Sequence, residues 1–131
     1  MGAGAILICL VVGITDGDTL TARCDDKTHK VRLAQIDAPE RGKPFFKRSK
    51  QSLSELCYHK QATLLVTGKS YERIVAAVDC EGRSASVEQV KRGMAWVWGR
   101  YANNAHSLYD AQETARQAKR GMWRFNNKEG I

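Results

Sequence analysis

Residues 6–36 read ILICLVVGITDGDTLTARCDDKTHKVRLAQI, and this stretch decides the fold. It contains three runs of apolar and β-branched residues, which are enriched in strands. Turn-forming residues separate the runs, with Asp16-Gly17 after the first and Asp25-Asp26 after the second. The runs therefore predict a buried strand at residues 6–14, a strand at 19–24 that pairs with it as a hairpin, and a third strand at 28–36.

The rest of the chain adds helices and two more strands. Ser49, Leu53, Leu56 and Cys57 recur at helical spacing and predict a first helix. Strands at 62–67 and 74–79, a helix at 86–93, a short apolar segment at 95–98 and a helix at about 105–120 follow. The pattern Ser86-Val87-Glu88-Gln89 predicts a capping box, and Gly93 a C-terminal cap.

This order of elements indicates a barrel. Five short strands, with a helix between the third and the fourth, are typical of the OB type. The predicted fold is therefore a five-stranded OB-fold β-barrel with three α-helices, an α+β arrangement. A chain of 131 residues is the usual length of one domain, so residues 1–131 are expected to form a single one.

Composition limits the classes of partner that this protein can bind but does not identify one. The net charge of +7 and the pI of about 9.4 favour polyanions such as nucleic acid. No apolar run is long enough to span a bilayer. The four cysteines form no C-x-x-C pair and there are three histidines, which argues against a zinc site. Residues 1–14 resemble the apolar core of a signal peptide, but they include no basic n-region and run straight into the turn at Asp16-Gly17, so a first strand is the simpler interpretation.

Two acidic clusters lie where strands end. Asp16-Gly17-Asp18-Thr19 follows the first strand, and Asp37-Ala38-Pro39-Glu40 follows the third. Each alone is an ordinary turn, but both reach one rim of the predicted barrel. Carboxylate and carbonyl oxygens from two loops suit Ca²⁺. Together with Arg32 and Arg73, which can hold charge on phosphate oxygens, they indicate metal-assisted phosphodiester hydrolysis.

The whole set of motifs resembles the staphylococcal nuclease (thermonuclease) family. The resemblance covers about residues 11–123, and the order and separation of the motifs agree. The motifs are these: Asp16-Gly17-Asp18-Thr19, Arg32 followed by Asp37-Ala38-Pro39-Glu40, Tyr71-Glu72-Arg73, and Lys91-Arg92-Gly93-Met94-Ala95. Such a match implies a Ca²⁺-dependent endonuclease and exonuclease acting on DNA and RNA, with single-stranded or locally open substrates favoured. It also implies 5′-hydroxyl and 3′-phosphate product ends.

The resemblance also assigns roles by position. Asp18, Asp37 and the backbone carbonyl of Ala38 are expected to bind the metal. Arg32 and Arg73 are expected to grip the scissile phosphate, and Glu40 to orient or deprotonate the water. Tyr71 and Tyr101 are expected beside the nucleotide, although Tyr101 matches only with a one-residue gap.

The chain departs from the family pattern between strands four and five. Glu72 stands where the family usually has glycine, which is expected to stiffen this loop and to add negative charge near the phosphate. Residues 41–50 also differ from the type member in length and composition. They hold five basic residues, expected to contact phosphates along a single strand unless they are merely solvated. Two interpretations are open for Phe45 and Phe46: contact with bases, or burial in the core. Burial is favoured for one of the two.

The pairing of the four cysteines indicates the cellular compartment of the protein. Cys57 and Cys80 are favoured to form a disulfide, the pair Cys9 and Cys24 is left open, and four buried thiols are the alternative. Members of the family are often exported. We therefore expect this protein to be secreted or periplasmic, with its leader absent or removed, and the cytoplasm is the alternative. The protein is expected to be a monomer with no membrane contact.

The main rival function is an OB module that binds single-stranded nucleic acid without cutting it. Such a module has no use for Asp18, Asp37 and Glu40, because carboxylates without a cation repel a polyanion. A basic domain that binds a membrane surface or a protein is a third possibility. It is disfavoured because the predicted third helix carries acidic and basic residues together.

Overall fold

The protein is described by a computed structural model for residues 2–99 and 106–125. Three antiparallel strands open the fold: β1 (Ile6–Asp16), β2 (Thr19–Cys24) and β3 (Lys27–Leu33). Two long strands, β5 (Gln61–Ser70) and β6 (Arg73–Cys80), form a second hairpin. The remaining strands are short: β4 (Ile36–Asp37), β7 (Arg83–Ser84) and β8 (Trp96–Val97).

The five long strands close into a barrel. β1 pairs with both β2 and β5, and β5 pairs with β6. The barrel closes where β3 runs parallel to β6, with Val31 opposite Ile74 and Arg32 opposite Val75. Alternate residues of each strand point inward, so Val11, Leu20 and Leu64 are fully buried. The predicted five-stranded barrel with three α-helices is confirmed.

The third predicted strand is wrong in one respect. The strand was expected to continue through residue 36, but β3 ends at Leu33 and β4 begins at Ile36. Gln35 lies between them with φ of 70°, in the left-handed region that a strand does not use. The break turns the chain from the barrel wall into the loop that carries Asp37.

Three α-helices pack beside the barrel. They are α1 (Phe46–Cys57), α2 (Ala85–Lys91) and α3 (His106–Gln117), and a 3-10 helix (Gly121–Arg124) follows α3. α1 turns the residues predicted from its spacing inward, since Ser49, Leu53, Leu56 and Cys57 are all buried. None of the helices in the described ranges is long and apolar enough to cross a membrane.

The start of α2 differs from the predicted capping box. Ser84 is the N-cap, and its hydroxyl accepts a hydrogen bond from the Val87 amide. Ser86 instead donates to the Ala34 carbonyl, and Gln89 points into the core. Tertiary hydrogen bonds thus override a local pattern that fits the capping motif.

Gly93 and Gly121 join the ends of α2 and α3. Gly93 has φ of 73°, as expected of the cap predicted there. The Met122 amide donates to its carbonyl at 3.0 Å. A Cβ on Gly93 would meet the Arg120 carbonyl oxygen, and one on Gly121 would lie 2.9 Å from the Arg92 oxygen. Only glycine fits at either position.

We expect Gly93→Ala to destabilise the fold by about 2–4 kcal/mol. The alanine would be held in a left-handed conformation, and its Cβ would clash with the backbone of Arg120. Urea denaturation measures the loss. Gly68→Ala is the matched control, since no atom lies within 4 Å of a Cβ placed there and φ is not positive. Equal stability of the two variants would contradict the role of the glycine contact.

Two disulfides fasten the barrel. Cys9 of β1 bonds to Cys24 of β2, and Cys57 at the end of α1 bonds to Cys80 at the end of β6. The favoured pair is therefore present, and the pair left open forms as well. Both Cys24 and Cys80 lie at strand ends remote from Thr19 and Arg73, where the same strands begin.

Candidate active site

A cleft of about 1030 Å³ lies where the strand-end loops meet. It joins the turn after β1, the loop after β3 and the turn between β5 and β6. The cleft takes in seven of the eight residues predicted for the site. They are Asp18, Arg32, Asp37, Ala38, Glu40, Tyr71 and Arg73. Tyr101, the eighth, lies outside the described residues.

Two carboxylates converge at the floor of this cleft. The Ala38 amide donates to Oδ2 of Asp18 and to Oδ1 of Asp37, each at 3.0 Å. The two oxygens are therefore separated by no more than twice that distance, although their residues come from different loops. Asp18 is buried, whereas the side chain of Asp37 is 39% exposed. Both carboxylates line the cleft, but that of Asp18 is buried at its wall and that of Asp37 is open to solvent.

Arg32 is held between these acids. Its Nη2 lies 3.6 Å from Oδ2 of Asp18 and 3.6 Å from Oδ1 of Asp37. Its Nη1 donates to the carbonyls of Leu33 and Ile36 at 2.8 and 2.7 Å. Buried polar groups need such partners. A buried guanidinium with one nitrogen fixed and the other directed at the acids is preorganised to meet an anion in the cleft.

The other predicted residues stand at the rim. Glu40 is exposed and borders the cleft. Arg73 is half-buried and Nη2 donates to the Ser70 hydroxyl at 3.3 Å. Tyr71 is 95% exposed in the tight turn that Ser70 and Arg73 close. These side chains are more exposed than that of Arg32.

Glu72 does not strain this turn. Tyr71, and not Glu72, takes the left-handed conformation, with φ of 58°. A residue with a side chain is therefore tolerated at position 72. The stiffening of this loop and the added negative charge near the phosphate both stay predictions.

Three further residues shape the cleft: Asp16, which the sequence analysis placed in the acidic cluster without a role of its own, and Trp98 and Gln89, which it missed. Asp16 accepts a hydrogen bond from the Asp18 amide at 3.0 Å and fixes the turn. Trp98 lines the cleft, and the guanidinium carbon of Arg32 lies 5.3 Å from its ring centroid. Gln89 donates from Nε2 to the carbonyls of Gly17 and Ser49, at 2.9 and 3.0 Å.

Gln89 anchors the acidic turn to α1. Gly17 lies so close to Ser49 that a Cβ on it would overlap the serine hydroxyl and lie 3.0 Å from Cβ of Ala38. Glycine at position 17 therefore lets the two acidic loops and α1 approach one another. The Asp-Gly-Asp pattern was a signal for this contact, but the partner Gln89 lies 72 residues away in sequence and left none.

Comparison with known proteins identifies the family of the chain. Residues 30–125 match the family described as staphylococcal nuclease homologue. The chain belongs to the staphylococcal nuclease family. An uncharacterized endonuclease of Haemophilus influenzae is 44% identical over 121 residues, which are 91% of this chain and 67% of that protein. A micrococcal nuclease of Shigella flexneri is 31% identical, over 91% of this chain and 75% of its own length.

The sequence-based resemblance to the staphylococcal nuclease family is thereby confirmed. An uncharacterized endonuclease of Escherichia coli, 34% identical over 86% of this chain and 74% of its own length, is a further relative. Membership gives the chain a nuclease function of the staphylococcal type. The roles of individual residues stay predictions, supported by their placement in one cleft.

The donor set of the cleft suits a hard divalent cation. Asp18 and Asp37 offer oxygen ligands beside each other, and the Ala38 carbonyl belongs to the same loop. In the described part of the chain, no group of three or more His, Cys, Asp and Glu side chains is placed to hold a metal. Any cation here would keep several waters, which is usual for Ca²⁺ but not for structural Zn²⁺.

Burial of Asp18 also perturbs its titration. Loss of solvent raises the pKa of this carboxyl from its usual 3.8 to about 7. The positive charge of Arg32 opposes the rise, whereas the neighbouring Asp16 adds to it, and the hydrogen bond from Thr19 lowers it. Without a cation, this acid therefore holds its proton to a higher pH than an exposed aspartic acid does.

The metal-free protein should lose stability as pH rises from about 4 to about 7. In that window the folded chain keeps a proton on Asp18 that the unfolded chain has released. Urea denaturation in a chelator, compared with Asp18→Asn, measures this contribution. The wild type should lose more stability across the window than the variant, because asparagine does not titrate. Identical slopes would mean that Asp18 titrates normally.

Proposed function

We propose that this protein is a calcium-dependent nuclease that hydrolyses phosphodiester bonds of DNA and RNA. One observation carries the proposal: Arg32 lies 3.6 Å from both carboxylates of the Asp18–Asp37 pair, in a cleft that Arg73 and Glu40 border. Family membership supplies the reaction class. The carboxylate pair supports calcium, since hard oxygen ligands and room for water are what that ion requires.

Each side chain has a task in this proposal. Asp18, Asp37 and the Ala38 carbonyl would hold Ca²⁺, which when bound supplies positive charge that orients and polarises the phosphate. Arg32 binds the equatorial phosphate oxygens and stabilises the negative charge that grows there. Arg73 reaches the same phosphate from the rim, and Glu40 accepts the proton of the attacking water. The water oxygen bonds to phosphorus as the P–O5′ bond breaks; the 5′ oxygen takes up a proton from solvent to become a hydroxyl, and the phosphate stays on the 3′ oxygen.

The cleft also bears on the form of the substrate. Tyr71 projects from its rim and offers an exposed ring on which a base can stack. Stacking on aromatic side chains requires bases that are not paired in a duplex. We propose that single-stranded or locally open DNA and RNA are preferred. We also propose a monomer that works in an oxidising compartment, secreted or periplasmic, because both disulfides lie in one small domain.

Digestion of a single-stranded oligonucleotide with Ca²⁺, and with a chelator, tests the proposal. We expect shortened fragments only when calcium is present, with a free 5′-hydroxyl that a polynucleotide kinase labels directly. A gel shift measured in the same two conditions distinguishes the rival binding module. A shift without cleavage in both would favour that rival, and fragments in the presence of the chelator would exclude a calcium requirement.

A further inference from the structure

A second cavity, of about 470 Å³, lies outside the catalytic cleft. Residues 42–48, which form the loop before α1 and its first turn, build one wall, and Phe125 closes the other. Phe125 follows the 3-10 helix, so the two walls come from distant parts of the chain. The mechanism proposed above uses none of these residues.

The cavity presents aromatic rings to solvent. Phe125 is 72% exposed, and its ring centroid lies 5.8 Å from that of Phe45, at a tilt of 48°. Phe45 is half-buried and has φ of 69°, a conformation that phenylalanine rarely adopts. Phe46 is buried and belongs to the core, as favoured for one of this pair. Exposing two adjacent phenyl rings loses hydrophobic stabilisation unless something covers them.

Basic side chains surround these rings. The guanidinium carbon of Arg48 lies 5.3 Å from the centroid of Phe45, and that of Arg124 lies 5.9 Å from the centroid of Phe125. Lys43 and Lys47 also line the cavity. Residues 41–50 contain no acidic residue. Positive charge set beside exposed rings suits a ligand that carries both a flat π-face and an anion.

The cavity adjoins the catalytic cleft. Glu40 borders the cleft and Gly42 borders the cavity, and consecutive Cα atoms are about 3.8 Å apart. The Lys43 amide donates to the Glu40 carbonyl at 2.9 Å, so a tight turn joins the two sites. One continuous strand of nucleic acid bound in the cleft is therefore able to reach Phe45 and Phe125 with a neighbouring nucleotide.

We propose that this cavity is a base-stacking subsite for single-stranded nucleic acid, adjacent to the cleft. A base flanking the cleavage site stacks on the exposed face of Phe125 and the edge of Phe45. Lys43, Lys47 and Arg48 contact the phosphates on either side of it. The proposal rests on the nuclease function and adds a place where the strand is held beyond the reacting bond. Because every base has a π-face, the subsite favours length over sequence.

Binding in a chelator tests the subsite apart from cleavage. We would measure fluorescence anisotropy with labelled single strands of about ten nucleotides and with a dinucleotide. Phe125→Ala should weaken binding of the longer strand about 5-fold to 100-fold and leave the dinucleotide unaffected. Phe45→Ala should act in the same direction, and Phe125→Trp should restore binding. Thermal unfolding confirms that each variant is folded.

Three controls separate stacking from other causes. Tyr58→Ala removes a ring of 43% exposure at the opposite end of α1, about 18 Å away, and should change nothing. Lys47→Ala should weaken binding and also reduce its salt dependence, because it removes a phosphate contact. Phe125→Ala should weaken binding and leave the salt dependence intact. Strands with a single abasic nucleotide, scanned along their length, should include one position at which Phe125→Ala costs no further affinity.

The outcomes are distinct from those of the calcium test. Binding of the longer strand that is unchanged in both Phe125→Ala and Phe45→Ala would overturn the subsite, even if cleavage depends on calcium as proposed. A loss confined to vesicles of anionic lipid would overturn it too, since the cavity would then contact a membrane. Weakened strand binding in a protein that does not cleave would support the subsite and remove the proposed nuclease mechanism.

Discussion

Replacing Arg32 with alanine is expected to lower kcat by about 10²–10³-fold, the usual loss for one preorganised donor to transition-state charge. Arg32 is 8% exposed and its Nη2 lies 3.6 Å from each of two acids, so its charge is directed into the cleft. Initial rates at saturating oligonucleotide and calcium measure the effect. Arg32→Lys should recover little activity, because lysine has no planar pair of donors.

Stability has to be measured alongside these rates. Alanine at position 32 leaves the Leu33 and Ile36 carbonyls without the donors that Nη1 provides, at a cost of about 1–3 kcal/mol each. Rates should therefore be taken well below the melting temperature of the variant. Arg23→Ala is the matched control. Arg23 is an exposed arginine near the end of β2, whereas Arg32 pairs with Thr19 at the start of that strand. Normal turnover by Arg32→Ala would remove Arg32 from the mechanism.

Asp37→Ala is expected to raise the calcium concentration for half-maximal activity by at least about 10–100-fold, comparable to losses seen when groups supporting a metal are removed. Asp37 is the more exposed carboxylate of the pair, and its loss would leave Asp18 as the single proposed acidic ligand. Calcium titration of the initial rate measures the shift. Isothermal calorimetry with calcium alone measures the same loss without a substrate.

The control for this variant is Asp26→Ala, which removes an exposed carboxylate from the turn between β2 and β3. It should titrate with calcium as the wild type does. If Asp37→Ala gave the same titration curve as the wild type, the assignment of Asp37 as a ligand would be wrong. The Asp18–Asp37 pair would then serve to position Arg32.

Local sequence patterns predicted the barrel well because the strands alternate and end at clear turns. They also predicted the acidic loops, since Asp18 and Asp37 both follow strands. What they missed depends on distant contacts. Gln35 breaks the third strand without being glycine, and Ser84 caps α2 although Ser86 fits the capping pattern better, because Gln89 is drawn into the core.

Burial of Arg32 could not be predicted either. An arginine in a strand is usually exposed, and alternation placed it on the face away from Val31 and Leu33. The barrel is closed at this point by β6, and Trp98, which follows β8, places its ring centroid 5.3 Å from the guanidinium carbon. Phe125 likewise meets Phe45 only through tertiary packing, so the second cavity left no signal in either segment.

The parallel seam between β3 and β6 has a consequence for the cell that makes this enzyme. Arg32 and Arg73 sit on the two strands that the seam joins, and pairing of strands so distant in sequence is costly in loop entropy and comes slowly. Until the seam forms, the chain carries its reactive residues without an assembled centre. A nascent or still-extended polypeptide therefore lacks the arrangement that the proposed chemistry needs, and nuclease activity is expected only once the seam has closed.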